Sequence, residues 1–267
     1  MTMSNPFDAI LFDLGSTLIY FDSEWPLVFP QANAELIASL KNAGYQIEED
    51  QFLQDFRDRI DQYYSSPESE FIEYTSEYFL RSVLADWGYP QISEATIQSC
   101  LRAMYAVLHA HWQIEADTLS TLEYLRQAGY HLGMISNASD NEDVQTLVDN
   151  AGVRDYFDFI LVSAAVGVRK PNPEIFRLAL DHWRIHPTRA AMVGDLLGAD
   201  ILGAKKVGLF SIWITRRADG PANQAHLDTI QPDAQIAALG ELPDLLHQLN
   251  NMERVRTRPR MAGSKPF

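Results

Sequence analysis

Ala9-Ile10-Leu11-Phe12-Asp13-Leu14-Gly15-Ser16-Thr17-Leu18 is the stretch that decides the fold. Its first four residues form an unbroken apolar run, too short for a helix and without the alternation of a half-exposed strand, which predicts a strand buried on both faces. Gly15-Ser16 supplies the turn that ends the run and leaves Asp13 at the strand's carboxyl end. Similar short runs recur at His131 to Ile135, Phe159 to Val162, Ala190 to Val193 and Phe210 to Ile214, separated by stretches with helical spacing. Asn172-Pro173 reads as a helix cap and first helical position, and Gly152 and Gly208 as C-terminal stops. Strand alternating with helix predicts an α/β, Rossmann-like parallel sheet flanked by helices.

Between Tyr20 and Gln113 such runs are missing. Apolar residues there keep helical spacing instead: Phe52, Phe56 and Ile60; Phe79, Val83 and Trp87; Ile97, Leu101, Met104 and Leu108. The expected division is an α/β core from 1–19 and 114–250, an inserted all-helical domain over 20–113, and a flexible basic tail over 251–267. From Glu253 onward the chain has four arginines and a lysine but little to bury. Trp25, Tyr63, Tyr64 and Tyr74 could line a substrate pocket, but aromatics at helical spacing read first as core of the helical insertion. Arg169, Lys205 and Lys206 read as solvated charges.

Among the 267 residues, 36 acidic side chains against 21 basic ones leave a net charge of −15, which disfavours nucleic acid and anionic membrane surfaces as partners. Cys100 is the only cysteine, so an intrachain disulfide or a cysteine-rich zinc site is excluded and a reducing compartment fits. Met1 to Pro6 lacks the basic and apolar regions of a leader, and the expected location is cytoplasmic. The histidines lack metal-ligand spacing; His109 and His111 stand only two apart.

In an open parallel sheet ligands bind beyond the carboxyl ends of the strands. Asp13, Ser136-Asn137 and Gly194-Asp195 each close an apolar run, and Lys170 lies in the loop after another. An acid nucleophile, a hydroxyl, an ammonium and further acids for a hard cation form an inventory suited to phosphoryl transfer. Asp195 and Asp200 fit the metal end.

The segments Phe12-Asp13-Leu14-Gly15-Ser16-Thr17-Leu18, Ile135-Ser136-Asn137, Lys170-Pro171-Asn172-Pro173 and Gly194-Asp195 with Asp200 resemble, in order, the four motifs of the haloacid dehalogenase superfamily. The resemblance spans about Phe7 to Leu249. It implies that Asp13 attacks phosphorus to form an aspartyl-phosphate and that Ser136 and Lys170 bind the phosphoryl group of a small phosphorylated substrate; Asn137 reads either as a further substrate-binding phosphate contact or as a residue that shapes the loop. It further implies Mg²⁺ held by Asp13, the carbonyl of Gly15, Asp195 and Asp200, with Lys170 also neutralising charge beside Asp13. The insertion would be the family's helical cap, closing over the site.

One departure stands out. Most phosphatases of the family carry a second aspartate two residues after the nucleophile, as general acid and base, where this chain has Gly15. Asp22 and Glu24 are the nearest downstream carboxylates that could substitute, against a solvent-facing role. Two alternatives follow from Gly15: a metal-independent haloacid dehalogenase, or a catalytically weakened phosphate-binding member. Asp195 and Asp200, and the lack of any arginine before Arg57, weigh against the dehalogenase.

Overall fold

The computed structural model describes residues 5–66 and 71–257. Ile10 and Phe12 of β1 (Ala9–Phe12) point into one hydrophobic cluster and Ala9 and Leu11 into another, so the apolar run is what a central strand covered on both faces requires. After β1 come β2 (Ile19–Phe21), β3 (Trp112–Ile114), β4 (His131–Ser136), β5 (Phe159–Val162), β6 (Ala190–Gly194), β7 (Phe210–Ile214) and β8 (Ala234–Ile236). Six of these form one parallel sheet in the order β5-β4-β1-β6-β7-β8. The chain leaves β1 toward β4 and returns to β6 on the other side, which makes the carboxyl end of β1 a topological switch point.

Four helices lie between β2 and β3: α1 (Trp25–Asn42), α2 (Glu49–Tyr64), α3 (Ser76–Asp86) and α4 (Glu94–His109). Their apolar stripes meet in a separate cluster running from Val28 to Leu108, with Phe52, Leu80 and Ile97 fully buried. β2 and β3 pair antiparallel, Ile19 opposite Ile114, so the chain enters and leaves this helical body through adjacent strands. Each strand straddles a boundary expected between the α/β core and the helical insertion, at 19/20 and at 113/114.

The sheet is flanked by α5 (Thr118–Gln127), α6 (Asn141–Asn150), α7 (Ser163–Val166), α8 (Pro173–Trp183), α9 (Leu202–Val207), α10 (Pro221–Gln224) and α11 (Leu242–Thr257). Asn172 caps α8 by accepting from the Glu174 N–H, with Pro173 in the first position. Gly208 ends α9 at φ +85°, a conformation that only glycine adopts freely. α11 continues through Thr257, past position 250, where the tail is expected to begin; the remainder of that tail, 258–267, lies outside the described residues. Among the described residues, no helix is long and apolar enough to cross a membrane.

Candidate active site

Asp13 follows β1, Ser136 ends β4, Asp195 follows β6, and the loop after β5 brings in Lys170, so all four meet at the carboxyl edge of the sheet. They line one cavity of about 340 Å³ together with Asp200. Lys170 is buried, and its ammonium donates to Asp13 Oδ1 at 2.6 Å and to the Ile135 carbonyl at 2.7 Å. It also lies 2.7 Å from Asp200 Oδ1. Asp200 sits in a π-helical turn, Leu197–Ile201, and its other oxygen accepts from the Leu196 N–H at 2.9 Å. One carboxylate thus ties down the start of the turn and faces the lysine at once. Asp13, Asp195 and Asp200 each offer an oxygen within 4.8 Å of the others.

Fully ionised, three buried carboxylates against one ammonium would leave two negative charges uncompensated. Burial, then the neighbouring Asp13 and Asp200 charges, push the Asp195 carboxyl up to about 8. Burial also raises Asp13, but the Lys170 ammonium opposes it and the value stops at about 6. Burial works against the charged form of Lys170, yet the two carboxylates outweigh it and raise its pKa above the ordinary lysine value. Without a cation, burial and mutual repulsion thus favour a proton held within the cluster, and the Lys170 ammonium favours the ionised form of Asp13. A divalent cation suits this arrangement: the donors are all oxygens, the surplus charge has the right size, and buried Asp200 Oδ1 receives no well-directed hydrogen bond even from the nearby ammonium.

Around this centre the polar groups divide into those that hold the loops and those left open. Asn137 donates from Nδ2 to the Lys170 carbonyl and accepts the Lys170 N–H on Oδ1, both at 2.8 Å. Its side chain thus clamps the lysine loop, and of the two roles that the sequence leaves to it, phosphate contact or loop shaping, the geometry favours the second. The Ser136 hydroxyl has no hydrogen-bond partner among the described residues and remains available in the cavity. Ser16, with φ +56°, turns the chain after the nucleophile.

Asp22 and Glu24 do not line the cavity; Asp22 is half-exposed and pairs with His111 at 3.1 Å. The carboxylate that does line it, beyond the cluster of three, is Asp143 of α6, held by His109 of α4 at 2.6 Å. Arg169 is not a free surface charge: it is largely buried 3.5 Å from buried Glu73, whose carboxylate accepts from Ser163 Oγ at 2.8 Å. Sequence reasoning also passes over Asn223. This buried side chain donates to the Asp195 carbonyl at 2.9 Å and the Ala218 carbonyl at 3.0 Å, and accepts the Leu197 N–H at 2.8 Å. Trp213 adds an indole N–H to the same Asp195 carbonyl at 2.8 Å. Trp112 borders the cavity beside Gly15, where a Cβ would meet the indole at 3.5 Å. None of Asn223, Asp143 and Trp112 lies in a motif; only their position in the fold reveals them.

The chain is similar to proteins of known family and fold. The family described as haloacid dehalogenase-like hydrolase matches residues 7–208. A glyceraldehyde 3-phosphate phosphatase of Methanopyrus kandleri is 28% identical over 243 residues, covering 90% of this chain and 97% of its own. Among solved structures, an HAD phosphatase from Thermococcus onnurineus aligns with a TM-score of 0.61 at 27% identity, over 90% of this chain and 97% of its own. A 2-haloacid dehalogenase from Pseudomonas syringae pv. Tomato DC3000 aligns with a TM-score of 0.64 at 26% identity, over 91% and 99%.

Proposed function

Because this chain belongs to the haloacid dehalogenase-like hydrolases, we propose that it is a magnesium-dependent phosphatase of a small organic phosphate, with Asp13 as the nucleophile. The observation that carries this reading is the buried group of three carboxylates around one lysine, whose charge surplus calls for a divalent cation. The relative named as a glyceraldehyde 3-phosphate phosphatase, similar along nearly its whole length, supports it.

Asp13, Asp195, Asp200 and the carbonyl of Gly15 would hold Mg²⁺, which when bound supplies positive charge against the developing charge of the phosphoryl group. Lys170 and the Ser136 hydroxyl donate to phosphoryl oxygens. The ionised Asp13 oxygen bonds to phosphorus as the bond from phosphorus to the alcohol oxygen breaks, and the alcohol leaves with a proton from solvent. Water then attacks the aspartyl-phosphate, releasing inorganic phosphate and restoring the Asp13 carboxylate. Asn137 and Asn223 touch no reacting atom; they fix the backbones from which Lys170 and Asp195 project. Residues 20–113 serve as the cap over a core of 1–19 and 114–250. The net charge of −15 supports a small-molecule substrate over nucleic acid or membrane, and with Cys100 as its sole cysteine we place the protein in the cytoplasm.

A second reading, attack on the carbon of a haloacid without metal, draws on the similarity to the Pseudomonas dehalogenase. It gives the surplus charge at Asp195 and Asp200 no purpose, and we rank it second. The test is phosphate release from an aryl phosphate and an acyl phosphate, with Mg²⁺ or EDTA, by wild type and Asp13→Asn. Magnesium-dependent release abolished by the substitution is the expected result. Halide release from a 2-haloacid in EDTA, with no phosphate release from either ester, would overturn the reading.

A further inference from the structure

Trp112 and Asp143 line both the small cavity at Asp13 and a second, much larger one of about 1000 Å³ beneath the helical body. That volume stands at the top of the range that holds drug-sized ligands, far more than a three-carbon phosphate needs. One wall is aromatic. Phe21 stacks on Trp25 at 3.9 Å between ring centres, Trp25 on Phe29 at 5.3 Å, and Trp112 meets Trp25 edge-on at 6.0 Å. Trp25 is 40% exposed and Phe29 42%, and neither belongs to any of the hydrophobic clusters that stabilise the fold. Large aromatic rings left open in a concave wall, continuous with a catalytic pocket, are surface awaiting a flat apolar ligand. The α2 side is mixed: Leu53, Phe56 and Ile60 stand among Asp50, Gln54, Arg57 and Asp61, and Met104 of α4 adds a further apolar contact.

The two cavities share Trp112 and Asp143, and Gly15 faces the Trp112 indole from the smaller one. A Cβ there would touch the Trp112 indole at 3.5 Å, so anything longer than a methyl group would share the passage with that ring. We propose that the substrate is a phosphate monoester of a bulky, flat, largely apolar alcohol, whose body lies on Trp25, Phe29 and Trp112 while its phosphate reaches Asp13. This rests on the phosphatase reading for the chemistry, but the seating of the alcohol is a separate claim about the aromatic wall.

The experiment compares 2-(2-naphthyl)ethyl phosphate with propyl phosphate, two unactivated primary alkyl esters that differ mainly in what the crevice can hold. The naphthylethyl ester is expected to have a kcat/KM at least about 100-fold higher, and Trp25→Ala and Phe29→Ala each to lower the ratio of the two about tenfold, chiefly through KM. Equal kcat/KM values, or an unchanged ratio in both variants, would overturn the proposal. Binding to Asp13→Asn, followed by tryptophan fluorescence, separates the two claims. If neither ester is turned over but the naphthylethyl ester alone quenches the fluorescence, the crevice assignment stands, and the phosphatase reading falls only if the aryl and acyl phosphates are inert as well. If neither ester binds, the crevice assignment falls as well.

Discussion

Replacing Asp195 with asparagine should make the metal-free protein more stable while removing its activity. In the unfolded chain this carboxyl titrates near 3.8, whereas in the folded protein burial and the Asp13 and Asp200 charges raise it to about 8. Between those values the folded state holds a proton that the unfolded state has released, so stability falls as pH rises across the window. At pH 7, roughly three pH units above the lower value, at about 1.36 kcal/mol each, wild type is held back on the order of 4 kcal/mol relative to a neutral side chain of the same shape. Such a difference is worth roughly 10 °C in Tm for a chain of this size. The assay is urea unfolding of wild type and Asp195→Asn in EDTA at pH 4 and pH 7. The expected result is near coincidence at pH 4, a clear advantage for the variant at pH 7, and a smaller gap in saturating Mg²⁺, which stabilises wild type by roughly 2.7 kcal/mol at 100 times its Kd. A variant no more stable than wild type at pH 7 in EDTA, or an advantage that does not change with pH, would refute the reasoning.

Two further substitutions test the supports of the site. Asn223→Ala removes three hydrogen bonds and leaves the Leu197 N–H buried without a partner, so denaturant unfolding should register a loss of roughly 3–4 kcal/mol. Gly194→Ala would place a methyl group inside the space of the Asp200 carboxylate, which must move; calorimetric titration should show Mg²⁺ affinity weakened roughly 10–100-fold, and magnesium-dependent turnover should fall with it.

Five strands of the main sheet are legible because helices cover them wholly or in part and most of their residues are apolar, most plainly at Ala9–Phe12 and Ala190–Gly194. β8 is not: Ala234–Ile236 is three residues at the sheet's edge with a polar Gln235 at its centre. β2 and β3 are equally short and carry no periodicity. Asp13, Ser136, Lys170 and Asp195 could be found because a parallel sheet delivers its strand ends to one edge, and a sequence shows where strands end. Asn223 is different. It lies 28 residues beyond Asp195 in a segment with no regular pattern, and its value comes from two carbonyls and one N–H that only the fold brings around it. Arg169 was misjudged for a similar reason: nothing local announces that Glu73, in a distant loop, is buried against it.

The pairing of Ile19 with Ile114 means that, as the sheet experiences it, everything from Asp22 to His111 is one long hairpin turn. The two ends of that turn are already hydrogen-bonded neighbours, so what hangs between them scarcely affects the closure below. Doubling the length of such a loop adds only about 0.6 kcal/mol of closure entropy. Helices can therefore be lengthened, exchanged or lost above the ribbon while the nucleophile beneath keeps its place, and changes in what the protein accepts can proceed apart from changes in how it reacts.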